Sequence, residues 1–181
     1  TPNVGYIADY PAGVRENGGQ YTHAAVWFAV ALFKAGEYER ATKVLKILNP
    51  IEKTETADKT KKYGNEPYVI SADVYSGRHA GEGGWSWYTG AAGWLYKCIT
   101  EEYLGVNIAD DVLTLDPRLP RGEGNYTLRI RKGECDINIV IDNSETDGDW
   151  RFSIGGVTYN SNVLRLFPSL NGKNIVLSRQ K

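Results

Sequence analysis

Methionine is absent from the 181 residues, which open on Thr1, and both features lead us to expect a processed or truncated polypeptide. Cysteine is nearly as scarce. Cys98 and Cys135 form no C-x-x-C pair, and with His23 and His79 as the two histidines the ligands of a usual zinc site are lacking, so no metal is expected. The cysteines read as small buried apolar residues, with a single disulfide left open. An excess of one charge is also missing. With 21 basic and 22 acidic residues and a formal net charge of -1, there is no electrostatic reason to expect nucleic acid or an anionic membrane as partner. No run approaches the roughly 18 apolar residues of a membrane span, and no basic-plus-apolar leader opens the chain, so a cytoplasmic location is expected.

What is present changes texture along the chain. From Gln20 to about Ala35 the residues are apolar nearly all the way round, a pattern that predicts a helix buried on most sides and ended by Gly36. In EYERATKVLKILNPI, Tyr38, Ala41, Val44, Leu45 and Leu48 recur at three- and four-residue steps, which predicts an amphipathic helix stopping before Pro50. The two should form an antiparallel helical hairpin. Residues 52–65 are polar and lysine-rich and read as a surface connection without a core of its own. EPYVISADVYS reads as extended. AAGWLYKCITEEYLG returns to helical spacing, with Thr89 where an N-cap would stand. Past Gly105, short β-branched runs such as LTLDP, YTLRIRKG, CDINIVIDN and NIVLSR predict an antiparallel sheet region, a small β-sandwich. The expected organisation is α+β, with helices over residues 1–106 and strands over 107–181.

Two glycine-rich polar loops, YPAGVRENGGQYTH and GRHAGEGGWSWYTG, each precede a buried helix, which should bring them to one end of a helical array. Tyr10, Arg15, Glu16, Asn17, His23, His79, Trp85, Trp87, Tyr88 and Thr89 would then line one cleft of aromatic faces and planar hydrogen-bonding groups. That mixture suits carbohydrate, whose C–H face packs on rings while its hydroxyls seek polar partners. Taken singly, the residues have plainer readings. Trp85 and Trp87 can be loop wedges, Glu16 a cap or an ion-pair partner of Arg15, Asn17 a turn residue, and His23 a satisfied core histidine. Thr89-Gly90 adds a hydroxyl and backbone N–H groups at a helix start, and with His23 these could hold a phosphate.

YPAGVRENGGQYTHAAVW, EPYVISADVYS and GGWSWYTGAAGW together resemble the C-terminal part of the glycoside hydrolase family 94 phosphorylases. The likeness is greatest to the phosphorylase-type region of cyclic β-1,2-glucan synthases and to β-1,2-oligoglucan phosphorylases, and it covers residues 4–106. It implies the last hairpins of a six-hairpin α/α toroid followed by a β-subdomain. It also implies an inverting phosphorolysis in which inorganic phosphate attacks a β-glucoside to give α-glucose 1-phosphate. An inverting hydrolase needs a second carboxylate to activate water, whereas phosphate needs a pocket of donors. His23, Thr89 and Gly90 match the family's phosphate-binding positions, and Tyr10, Arg15 and Glu16 its sugar-contacting positions. Gln20-Tyr21 replaces the Ile-Phe of cellobiose-type members and favours the β-1,2 branch. The general-acid aspartate of the family lies upstream of the matched region, so no catalytic residue is assigned here; Asp9 and Asp73 stand elsewhere in the motifs.

The expected ligands are therefore a β-glucan oligosaccharide and phosphate as co-substrate, with no cofactor. Two rival readings are a hydrolase using Glu16 as acid and a noncatalytic carbohydrate-binding module. In every case apolar faces bearing Trp27, Phe28 and Trp94 should seek cover, from the remainder of a toroid or by self-association.

Overall fold

In the computed structural model, which describes residues 2–87, 89–145 and 147–181, the run after His23 forms helix α1 (Thr22–Lys34) and the next segment helix α2 (Tyr38–Leu48). Their junction is a Schellman turn. Gly36 takes φ +79°, its N–H donates to the Phe33 carbonyl at 3.1 Å, and the Glu37 N–H donates to the Leu32 carbonyl at 3.0 Å. Val26, Ala29, Leu32 and Phe33 of α1 are buried, as are Ala41, Leu45 and Leu48 of α2. The expectation that α1 is buried on most sides is corrected. Ala24, Trp27, Phe28 and Ala31 are exposed, so the chain covers one face of an all-apolar helix.

A second correction concerns residues 52–65. They form helix α3 (Pro50–Lys53), capped by the Asn49 side chain, and helix α4 (Ala57–Tyr63), capped by Thr56 and ended by Gly64 at φ +72°. The segment does own a piece of core. Tyr63 is buried, and its hydroxyl accepts a hydrogen bond from Ser71 Oγ at 2.7 Å, while Asn65 Nδ2 donates to Ser71 Oγ at 2.6 Å and to the Gly84 carbonyl at 3.0 Å. One aromatic at the end of a charged helix carries too weak a periodic signal to announce this. Tyr63→Phe would leave the buried Ser71 hydroxyl without its acceptor and is expected to lower stability by about 1–3 kcal/mol, read from the denaturant midpoint at unchanged m-value.

The extended segment supplies strand β2 (Asp73–Val74), which pairs antiparallel with strand β1 (Gln20–Tyr21) in front of α1. Helix α5 (Ala91–Lys97) packs on α1 and runs into a π-helical turn over Cys98–Tyr103. Residues up to Cys98 make one unit and Ile99–Lys181 the other.

The second unit holds β3 (Val106–Ala109), β4 (Val112–Leu115), β5 (Tyr126–Lys132), β6 (Cys135–Asp142), β7 (Asp149–Ile154), β8 (Val157–Thr158), β9 (Val163–Arg165) and β10 (Ile175–Gln180). They form a five-stranded sheet ordered β5-β6-β10-β7-β8 and a three-stranded sheet ordered β3-β4-β9. Strict alternation in β6 buries Cys135, Ile137, Ile139 and Ile141, which join Phe152, Ile175 and Leu177 and, from the smaller sheet, Leu113, Leu115 and Leu164 in one apolar cluster. The expected all-antiparallel pairing is corrected at one place. β10 runs parallel to β6, with Ile175 opposite Ile139, because the chain end inserts between β6 and β7.

Candidate carbohydrate and phosphate site

The β1–β2 pair draws the two polar loops together. Tyr21 faces Asp73 across it, the Thr22 N–H donates to the Ala72 carbonyl at 3.0 Å, and the Ala72 N–H donates to the Trp85 carbonyl at 2.7 Å. The first loop is closed by the Asn17 N–H to the Val14 carbonyl at 3.0 Å and the Gly13 N–H to the Asn17 carbonyl at 2.8 Å. Asn17 Nδ2 donates to the Tyr10 carbonyl at 2.7 Å, so that amide pins the loop. Ser76 bridges β2 to the same loop, its Oγ donating to the Gly18 carbonyl at 2.6 Å.

A depression of about 310 Å³ opens where the loops meet, lined by Arg15, Tyr21, Ala72, Thr89 and Gly90. Arg15, in the left-handed region at φ +46°, places its guanidinium 4.2 Å from the Trp85 ring centroid and 5.6 Å from that of Tyr10. Thr89 Oγ1 accepts the Ala91 N–H at 3.0 Å, which leaves the hydroxyl proton to donate outward. The cap of α5 falls on Gly90, one residue after the expected Thr89. With seven residues, α5 is too short to lend much dipole, so discrete donors carry any anion affinity.

His23 stands beside Gly90, where an added Cβ would lie 3.5 Å from its Nδ1 and Cε1. An aromatic cage fixes the ring: Trp27 stands edge-on at 5.0 Å, Trp94 at 6.2 Å and Tyr21 at 6.5 Å. Its Nε2 is shut off from water and has no hydrogen-bond partner among the described residues. A satisfied core histidine would have one.

The other expected site residues separate. Glu16 is exposed at the turn beside Arg15. Trp87, at φ +64°, donates its indole N–H to Glu66 at 3.0 Å and meets Tyr68 edge-on at 6.3 Å, so it belongs to an exposed patch of its own. The Glu66 carboxyl is held below the usual range, first by a backbone hydrogen bond and then by the Trp87 indole. His79 pairs locally with Glu82 at 3.0 Å. Tyr88 lies outside the described residues. Ala72 and Asp73 lie in the EPYVISADVYS motif but were given no site role, because only the strand pairing brings them to the site. Among the described residues no group of three or more His, Cys, Asp or Glu could hold a metal ion, and no helix is long and apolar enough to cross a membrane.

Residues 1–105 match the family model described as the glycosyl hydrolase 94 superfamily, catalytic domain. The chain is 41% identical over 146 residues to the cyclic β-(1,2)-glucan synthase NdvB of Rhizobium meliloti, covering 80% of this chain and 5% of that protein. It is 33% identical over 124 residues to an N,N'-diacetylchitobiose phosphorylase of Vibrio furnissii, with 66% and 15% covered. It is 29% identical over 146 residues to a 1,2-β-oligoglucan phosphorylase of Listeria innocua, with 72% and 13% covered. The chain thus spans a small part of each relative's length. Because the matched segment contains both polar loops and the helices they precede, the chain belongs to the glycosyl hydrolase 94 superfamily.

Proposed function

We propose that this chain is the C-terminal part of an inverting glycoside phosphorylase, and that it supplies the phosphate pocket and part of the sugar site for β-linked, β-1,2 glucosides. The observation that carries the reading is one depression lined by Arg15 from the first loop and by Thr89 and Gly90 from the second, with His23 packed beside Gly90. The relatives named as phosphorylases support it, and the β-1,2 linkage follows the glucan synthase and the oligoglucan phosphorylase among them.

In the proposed reaction a phosphate oxygen forms a bond to the anomeric carbon while the bond from that carbon to the glycosidic oxygen breaks. The electron pair leaves with that oxygen, which takes a proton from a general acid located on upstream chain. The products are α-glucose 1-phosphate and the shortened glucoside. No cofactor is needed, because phosphate arrives already anionic. The residues here hold and orient it: the Thr89 hydroxyl, the Gly90 N–H and the His23 imidazole donate to its oxygens, and Arg15, its guanidinium over the Trp85 ring and near that of Tyr10, faces the sugar. The exposed face of α1, with Trp27 and Phe28 about half accessible, is covered in this reading by the remainder of an α/α toroid, and the second unit is the family's β-sandwich.

The test is phosphate dependence. The parent polypeptide, given β-1,2-linked oligoglucosides, should release glucose 1-phosphate when inorganic phosphate is supplied and nothing without it. Free glucose released in phosphate-free buffer would instead show a hydrolase.

A further inference from the structure

We propose that Asp73 is a positioning residue for this site, its buried carboxylate locking the Arg15 turn onto the second loop. The proposal rests on the reading of the pocket given above. Asp73 is 1% exposed, and no step of the proposed reaction uses it. Its Oδ2 accepts the backbone N–H of Arg15 at 3.3 Å across 58 positions of sequence. Its carbonyl accepts the Gly84 N–H at 2.8 Å, and a Cβ on Gly84 would overlap its Oδ1. One side chain therefore touches the turn that presents Arg15 and the stretch that leads to Trp85, while its backbone is paired with Tyr21.

Arg15 needs such a lock. Its φ of +46° is disfavoured for any residue with a side chain and persists where surrounding bonds over-determine it. One end of the peptide is tied by the Gly19 N–H to the Arg15 carbonyl at 2.8 Å, and the other by Asp73. Without the second tie the turn is free to relax, and the guanidinium leaves its place over Trp85.

A double-mutant cycle in the intact parent polypeptide tests this. Asp73→Ala should raise the KM for glucoside about tenfold, with kcat changed less than about threefold, and in an Arg15→Ala background it should change KM less than about twofold. Asp73→Asn, which keeps an acceptor oxygen, should restore most of the affinity. Equal effects of Asp73→Ala in both backgrounds would overturn the proposal. Peptide-resolved hydrogen exchange on the same polypeptide gives a readout that needs no activity: residues 13–19 should exchange about tenfold faster in Asp73→Ala while β6 is unchanged. Unchanged exchange in residues 13–19 likewise refutes the lock. A wild-type polypeptide with no phosphate-dependent turnover would refute the functional reading, and the exchange result would still decide the role of Asp73.

Discussion

His23→Ala is expected to lower kcat/KM for phosphate by about a hundredfold to a thousandfold in the parent polypeptide, the range seen when one preorganised donor to a developing or bound oxyanion is removed. The reasoning starts from the cage. Trp27, Trp94 and Tyr21 leave the imidazole little freedom to turn, and its Nδ1–Cε1 edge faces Gly90, next to the Thr89 hydroxyl. A ring held so firmly presents its Nδ1–Cε1 edge beside Gly90, while the orphaned Nε2, shut off from water, is a cost to the free fold. The same logic predicts that folding stability falls little in His23→Ala, because the lost ring leaves behind no orphaned partner in the described structure. Initial rates at varied phosphate, beside a thermal melt of each protein, separate the two effects. A change of less than about threefold in kcat/KM would remove His23 from the phosphate site.

The first helical hairpin could be read from run length and spacing. The apolar run of α1 is longer than a typical strand, the apolar residues of α2 recur with helical period, and Gly36 stands where a left-handed residue must end the first helix. That both polar loops precede helices was enough to expect His23 near Thr89-Gly90. What the sequence could not convey is pairing at a distance. The β1–β2 ladder is two residues long on each side, below the length at which alternation can be recognised, yet it determines which loop residues share the depression. Trp85 and Trp87 look equivalent in GGWSWYTG, but Trp87 takes a left-handed φ and bonds Glu66 while Trp85 lies under Arg15. The parallel placement of β10 was hidden for a similar reason. NIVLSR reads as a strand without saying which neighbour it will join.

Gly84→Ala and Gly93→Ala, two changes of a single methyl group nine positions apart in one stretch, are expected to act in opposite directions. At Gly84 the new Cβ would overlap Asp73 Oδ1, and that carboxylate is buried on a paired strand with no free end to swing away. Either the Asp73 contact to Arg15 or the path of the second loop must give. Overpacking of this kind lowers stability by about 1–3 kcal/mol. Since Trp85 and Thr89 follow on the same loop, a displacement on the order of 1 Å should also reduce phosphorolysis by about a hundredfold. At Gly93 the position is interior to α5, φ is not positive, and nothing lies within 4 Å of an added Cβ. There alanine narrows the unfolded ensemble without a clash, so stability should rise by about 0.5–1 kcal/mol and activity should hold. Denaturant midpoints and initial rates on the two variants decide the matter. If both alanines behave alike, contact between Asp73 and the second loop does not control the pocket, because backbone entropy alone would then account for either substitution.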